Sequence, residues 1–192
     1  MRLLAMRHCA LKFFAAVFFF SITLPALAAA SSPTQAPAVF GWVEWTYIEP
    51  HHIHVKAKLD SGAKTSSLSA VDIERFKRDG AIWMRFRVPI SASDGGTNEP
   101  QLIDMERKLE REVLIKRHGG GPSRRPVVEI DVCLGTRMFT TPVTLTDRSR
   151  FNYPLLLGRS ALRGHALLDA GQTYINGADA ERCKPAADHN NH

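Results

Sequence analysis

The segment Leu59-Asp60-Ser61-Gly62-Ala63 decides how this chain folds, together with Leu155-Leu156-Leu157-Gly158-Arg159, about a hundred residues later. Each segment brings an apolar, strand-like run to a glycine, where the backbone can turn sharply. The first turn carries a carboxylate, and its serine hydroxyl can hydrogen-bond neighbouring backbone. We expect Leu157 and Gly158 to pack beneath that turn and support it.

The rest of the chain reads as many short strands with Gly and Pro punctuation, which predicts an all-β closed barrel. One short helical run, Ser160 to Arg163, follows the second segment. The predicted strands are residues 40–48, 53–59, 82–90, 127–134, 138–146, 155–157, 166–169 and 173–175.

Two segments are read less simply. Val71 to Phe76 suggests one helical turn. Leu102, Met105, Leu109 and Val113 have helical spacing, whereas Val113-Leu114-Ile115 favours a strand, so only the part from Arg111 is predicted as strand. The glycine-rich segments at residues 94–96 and 119–121 are alternative candidates for a mobile flap.

The string from Lys56 to Leu68, KAKLDSGAKTSSL, resembles the bacterial retropepsin-like aspartic peptidases often labelled "ATP-dependent zinc protease". Gly41-Trp42-Val43-Glu44-Trp45, Arg125-Pro126-Val127-Val128 and Leu156 to Leu162 are similar to the same family's other signatures. This resemblance implies a single retropepsin-like domain over residues 39–178.

In an aspartic peptidase two facing carboxylates share one proton, because two close charges of one sign resist joint ionisation. The chain has one Asp-Ser-Gly triplet, so the predicted site needs a homodimer in which each protomer presents Asp60. The resemblance implies catalytic roles for Asp60, Ser61 and Gly62. It assigns substrate binding to Ala63, Lys64 and Thr65, and structural support to Leu157, Gly158 and Arg159.

Arg159 has an unusual setting. In retroviral relatives an acid follows the triplet and pairs with this arginine, but here that position is Lys64. We therefore expect Arg159 to pair with Asp169 or Asp147, or to stay solvated.

The first residues predict export. Arg2, Arg7 and Lys12 precede the apolar run 13–24, and Ala26-Leu27-Ala28 is a cleavage pattern, so residues 1–28 read as a signal peptide and the protein as periplasmic, without a stable membrane anchor. Residues 29–38 read as a flexible lead-in and 179–192 as a disordered tail. Without the leader the formal charge falls from +6 to +3 (6 − 3), which gives little support for nucleic-acid binding.

The basic residues between Arg107 and Arg125 are interpreted as a solvated hairpin face, with attraction for an acidic peptide or polymer as the alternative. Cys133 and Cys183 can pair in an oxidising compartment, although a buried free thiol at Cys133 is equally ordinary.

Neither a metal nor ATP is predicted. His51, His52 and His54 are close in sequence, but no His-Glu-x-x-His motif accompanies them, and there is no phosphate-binding loop for ATP. The predicted function is therefore a periplasmic aspartic endopeptidase that acts on a peptide or protein substrate. Its alternatives are a non-catalytic peptide-binding module with the same barrel and, less favoured, a zinc-dependent hydrolase.

Overall fold

The computed structural model describes residues 36–91, 99–117 and 120–177. The signal peptide, most of the lead-in and the tail predicted above lie outside these residues. The described part consists of strands, the turns and loops that join them, and one short helix, which confirms the all-β class. It contains no helix with the length and apolar character needed to cross a membrane.

The elements, in chain order, are as follows. The strands are β1 (Ala38–Gly41), β2 (Val43–Glu49), β3 (Ile53–Asp60), β4 (Ser66–Ser69), β5 (Val71–Arg78), β6 (Ala81–Ile90), β7 (Gln101–Arg117), β8 (Gly120–Leu134), β9 (Arg137–Thr146), β10 (Leu155–Gly158) and β11 (Ala166–Asp169). The helix α1 spans Arg159–Leu162, directly after the second segment, as predicted.

Six of the strands form a closed ring. The order is β2-β3-β10-β4-β9-β8, and pairing between β2 and β8 closes it. Apolar side chains such as Val55, Leu68 and Leu155 are fully buried in the core. Beyond β8 the sheet continues through β7, β6 and β5, and β1 pairs in parallel with β11 as a separate two-stranded sheet.

Strand β3 shows how the sequence places its polar residues. Its burial alternates strictly, with the apolar residues from Ile53 to Leu59 in the core. Because side chains alternate across a strand, Lys56, Lys58 and Asp60 share the opposite face. The strand therefore delivers Asp60 at its end with its side chain directed away from the core.

The predicted strand over residues 40–48 is interrupted at Trp42, whose N–H donates to the Gln172 carbonyl at 3.0 Å. The strand predicted at 173–175 is wrong: these residues form a bend and turn. Tyr174 has a φ of +54°, and the N–H of Ile175 donates to the Glu44 carboxylate at 3.2 Å. A buried side chain thus satisfies backbone that a sheet partner would otherwise satisfy.

The helical turn predicted at Val71 to Phe76 is also wrong, because these residues belong to β5. Pairing with β6 supplies their backbone hydrogen bonds, with an irregularity between Val71 and Glu74. The segment before Arg111, which the sequence left between helix and strand, is also strand, because β7 runs from Gln101 to Arg117. Tertiary pairing here overrides local helical spacing.

Acidic residues of β7 pair with the arginines around them. Glu106 contacts Arg78 and Arg85, and Glu112 lies 3.1 Å from Arg75 and 3.5 Å from Arg124. Of these arginines, Arg124 alone belongs to the basic group between Arg107 and Arg125, so the interpretation of that group as a solvated hairpin face stays a prediction.

Cys133, on β8, is disulfide-bonded. Its partner lies outside the described residues. Of the two readings from the sequence, the free thiol is therefore wrong.

Candidate active site

The two glycine-containing segments meet at neighbouring strand ends. β10 runs parallel to β3, with Leu157 opposite Leu59 and Gly158 opposite Asp60. β10 also pairs with β4 on its other side. Leu157 is fully buried, so the second segment lies packed beside the Asp60 turn, and its supporting role stays a prediction.

Gly158 is required by a close backbone approach. A Cβ at this position would lie 2.6 Å from the Thr65 carbonyl oxygen. The Gly158 N–H also donates to the Ser66 hydroxyl at 3.1 Å. Only a residue without a side chain permits this contact between the chain after Asp60 and the start of α1.

The Asp60 carboxylate accepts from three donors. Oδ1 receives the N–H groups of Gly62 at 2.9 Å and Ala63 at 3.2 Å. Oδ2 lies 3.1 Å from the Lys58 ammonium. The hydrogen bond from Lys58 is the largest cause of a lowered Asp60 pKa; burial opposes it and the two N–H groups assist it.

Arg159 does not pair with either predicted acid. Its guanidinium donates to the carbonyl oxygens of Ser61 and Gly62, both at 2.9 Å. Asp169 instead accepts the Gly171 N–H, and Asp147 accepts the Ser149 N–H. Of the three predicted settings, the two acidic partners are wrong: Arg159 stays exposed to solvent and donates to the carbonyls of the turn.

The residues assigned to substrate binding are anchored by α1 through their backbone. The Ala63 carbonyl accepts the Arg159 N–H at 2.9 Å. The Lys64 carbonyl accepts the Ser160 hydroxyl at 2.9 Å, and Thr65 contacts Gly158 as described above. These hydrogen bonds fix the backbone beyond the turn. The substrate-binding roles of Ala63, Lys64 and Thr65 stay predictions.

Asp60 opens into a cleft of about 420 Å³. Trp42 and Tyr153 meet edge to face in its wall, with ring centroids 5.9 Å apart. Arg148 also lines the cleft; it is 8% exposed and donates to the Tyr153 carbonyl and the Ser67 hydroxyl. The remaining lining residues are Lys58, Phe151, Asn152 and Leu156.

Sequence reasoning missed Lys58, Arg148 and the aromatic wall as parts of the site. Lys58 could have been found from the sequence, because the strict alternation of β3 puts it on the same face as Asp60. Nothing in the sequence places Arg148 in the site, because it reaches the cleft through the loop between β9 and β10, whose path depends on tertiary packing.

The histidines form no metal site in the described structure. His54 stacks between Trp45 and Tyr47, with centroids 4.5 Å and 4.6 Å away. His52 bonds Glu49 at 2.8 Å. Within residues 36–91, 99–117 and 120–177 no three metal-binding side chains come together.

The candidate site thus combines a carboxylate at the end of β3, a glycine at the end of the parallel strand β10 and the short helix α1 beyond it. The family model described as "Retropepsin-like aspartic endopeptidase RimB" matches residues 39–179. The chain belongs to this RimB-like family, as its sequence resemblance predicted.

The curated relatives include proteins named "Probable alpha-L-glutamate ligase". The one from Shewanella pealeana is 35% identical over 124 residues, which is 64% of this chain and 26% of that protein. The one from Desulfotalea psychrophila is 32% identical over 135 residues, 70% of this chain and 28% of that protein. The match therefore spans about a quarter of each relative's length.

A solved structure shares the fold. A Legionella pneumophila protein of unknown function is 34% identical, with a TM-score of 0.61 over 73% of this chain and 98% of that one.

Proposed function

We propose that this protein is a periplasmic aspartic endopeptidase whose site forms when two protomers bring their Asp60 residues together. The observation that carries the proposal is the Asp60 turn. It holds a carboxylate at the end of β3, braced by Arg159 and Gly158, in a family of retropepsin-like endopeptidases.

In the mechanism, one Asp60 carboxylate takes a proton from a bridging water, and the water oxygen attacks the scissile carbonyl carbon. The partner's Asp60 gives its proton to the carbonyl oxygen, which produces a tetrahedral diol. Collapse of the diol breaks the C–N bond: the amine leaves with the proton of one carboxyl, and a diol hydroxyl returns its proton to the other carboxylate as the C=O bond re-forms. Two products and the one-proton dyad result.

An exposed apolar surface beside the turn supports the dimer. A cavity of about 510 Å³ is bordered by Ser61, Arg159 and Leu167. Leu167 is 56% exposed and Val39 on the neighbouring strand 53%. Apolar side chains on this small sheet offer a second copy a surface to bury next to the place where its Asp60 is needed.

The described lining of the cleft carries one more cation than carboxylate, although both cations also bond protein groups. Lys58 and Arg148 line it with Asp60 as the one acidic lining residue of the described chain. The relatives that contain a similar segment are named as probable glutamate ligases, so glutamate-rich peptides are the first substrates to test. Matched peptides with Glu replaced by Gln should be cleaved more slowly, and the preference should weaken in salt.

We propose export, with which a Cys133 disulfide agrees because such bonds persist in oxidising compartments. We expect the mature protein to begin near residue 29. Non-reducing peptide mapping should recover Cys133 linked to Cys183.

Asp60→Asn tests the function. We expect cleavage to fall at least about a hundredfold while the fold, measured by circular dichroism and thermal unfolding, is kept. Undiminished cleavage by this variant rules out the mechanism. Peptide binding without cleavage by the wild type at any pH identifies a binding module, and loss of cleavage in chelator identifies a metal-dependent hydrolase.

A further inference from the structure

Lys58 makes a direct contact with the carboxylate that the proposed mechanism uses. It precedes Asp60 by two residues on the same face of β3, and its Nζ lies 3.1 Å from Oδ2. Oδ1 is already occupied by the N–H groups of Gly62 and Ala63. Lys58 therefore holds the second oxygen.

Two other cations lie near Asp60 and both are engaged, while Tyr153 is a further titratable group in the cleft lining. Arg148, in the loop after β9, donates to Ser67 and to the Tyr153 carbonyl. Arg159, on α1, donates to the carbonyls of Ser61 and Gly62. Among the described residues, Asp60 has an ion pair with Lys58 alone.

Within the described residues, Lys58 forms its one ion pair with Asp60. Its side chain is 39% exposed and lines the Asp60 cleft. Lys56, one step earlier on the same face, lies 5.2 Å from the Trp45 ring centroid. The two lysines thus share strand, face and charge, and differ in whether they contact the carboxylate.

We propose that Lys58 is a positioning residue of the peptidase site, which orients Asp60 through a direct ion pair and sets the pH range in which the two aspartates share one proton. The inference rests on the proposed function.

The direction of the effect follows from charge. An ammonium beside a carboxylate stabilises its ionised form, so it lowers the Asp60 pKa. In a dyad the two carboxyls titrate in two coupled steps, and a cation near each lowers both. The bell-shaped activity profile consequently lies at lower pH with Lys58 than without it, and activity at neutral pH is restrained.

Three variants isolate the contact: Lys58→Met removes the charge, Lys58→Arg keeps it, and Lys56→Met removes the matched lysine. For each, kcat/KM is measured against pH with a cleaved peptide, and the Asp60 carboxyl is titrated by carbon NMR. In Lys58→Met we expect both limbs of the profile to move to higher pH, with several-fold higher activity at neutral pH. Lys58→Arg and Lys56→Met should keep the wild-type profile.

The two readouts separate the two hypotheses. If the wild type cleaves peptides but Lys58→Met leaves both the profile and the titration unchanged, the role of Lys58 is overturned. An equal shift in Lys56→Met overturns it as well, because the effect is then one of general charge. If no peptide is cleaved but the pKa of the Asp60 carboxyl is higher in Lys58→Met alone, the proposed function fails and the contact between Lys58 and Asp60 is upheld.

Discussion

Gly158 lies directly beside Asp60, at the end of a strand that runs parallel to the one carrying the carboxylate. Segments about a hundred residues apart in the chain thereby form one rigid unit. Because Gly158 has no Cβ, the backbone at Thr65 can pass in contact with it. The geometry of the turn is therefore set by backbone packing.

Gly158→Ala should destabilise the protein. The new methyl group would lie 2.6 Å from the Thr65 carbonyl, and relieving that clash should cost about 1–3 kcal/mol in the free energy of unfolding, measured in urea. Gly121→Ala is the matched control, because a Cβ there meets nothing within 4 Å. Equal stability of the two variants would contradict the close approach.

Arg159→Met should lower activity more than stability. The arginine holds the carbonyls of Ser61 and Gly62, and its loss lets the catalytic turn move, which should reduce kcat at least about tenfold. Arg111→Met removes the same charge from an exposed position of β7 and should leave kcat near the wild-type value. A comparable loss in both variants would point to net charge as the cause.

Leu167→Glu should disrupt dimerisation. A charge placed on the exposed apolar surface next to Ser61 has no partner there and resists burial against a second copy. The mass in solution should fall to that of a monomer, and cleavage should be lost with it. Leu114, which is 59% exposed on the outer sheet, supplies the control Leu114→Glu. Retention of a stable dimer by Leu167→Glu would place the interface elsewhere.

Glu106→Gln should change the response of stability to acid. Hydrogen bonds from Arg78 and then Arg85 lower the Glu106 pKa from its ordinary 4.5. A lowered pKa in the folded state stabilises the fold at pH above 4.5, and this contribution is lost as the pH falls below that value. The wild type should therefore exceed the variant in stability at pH 7, and the difference should shrink towards pH 3.

Salt and a second variant test whether the charge of Glu106 causes the effect. The difference in stability between the wild type and Glu106→Gln should be smaller at high ionic strength, because these groups are largely exposed. Glu110→Gln removes the same charge from an exposed position of the same strand and should show a weaker dependence. A difference that persists at pH 3 would mean that Glu106 acts by packing.

The parts of the fold and the candidate site that depend on local residue types could be predicted from the sequence. The triplet at Asp60, the glycine at position 158 and the helix after it were all readable, because turns, close approaches and helix starts need particular residue types. The strand nature of residues 71–76 was not readable, since pairing with β6 decides it. The partner of Arg159 escaped prediction for a related reason: backbone carbonyls carry no signature in a sequence.

The most direct test of the central claim is subunit mixing between the wild type and Asp60→Asn. The two proteins are combined in equal amounts, allowed to exchange subunits fully and assayed for cleavage at constant total concentration. If each site needs both Asp60 carboxylates, only wild-type pairs are active, and activity should fall to about a quarter of that of the wild type alone. Activity of about one half would show that each chain works by itself, which contradicts a shared dyad.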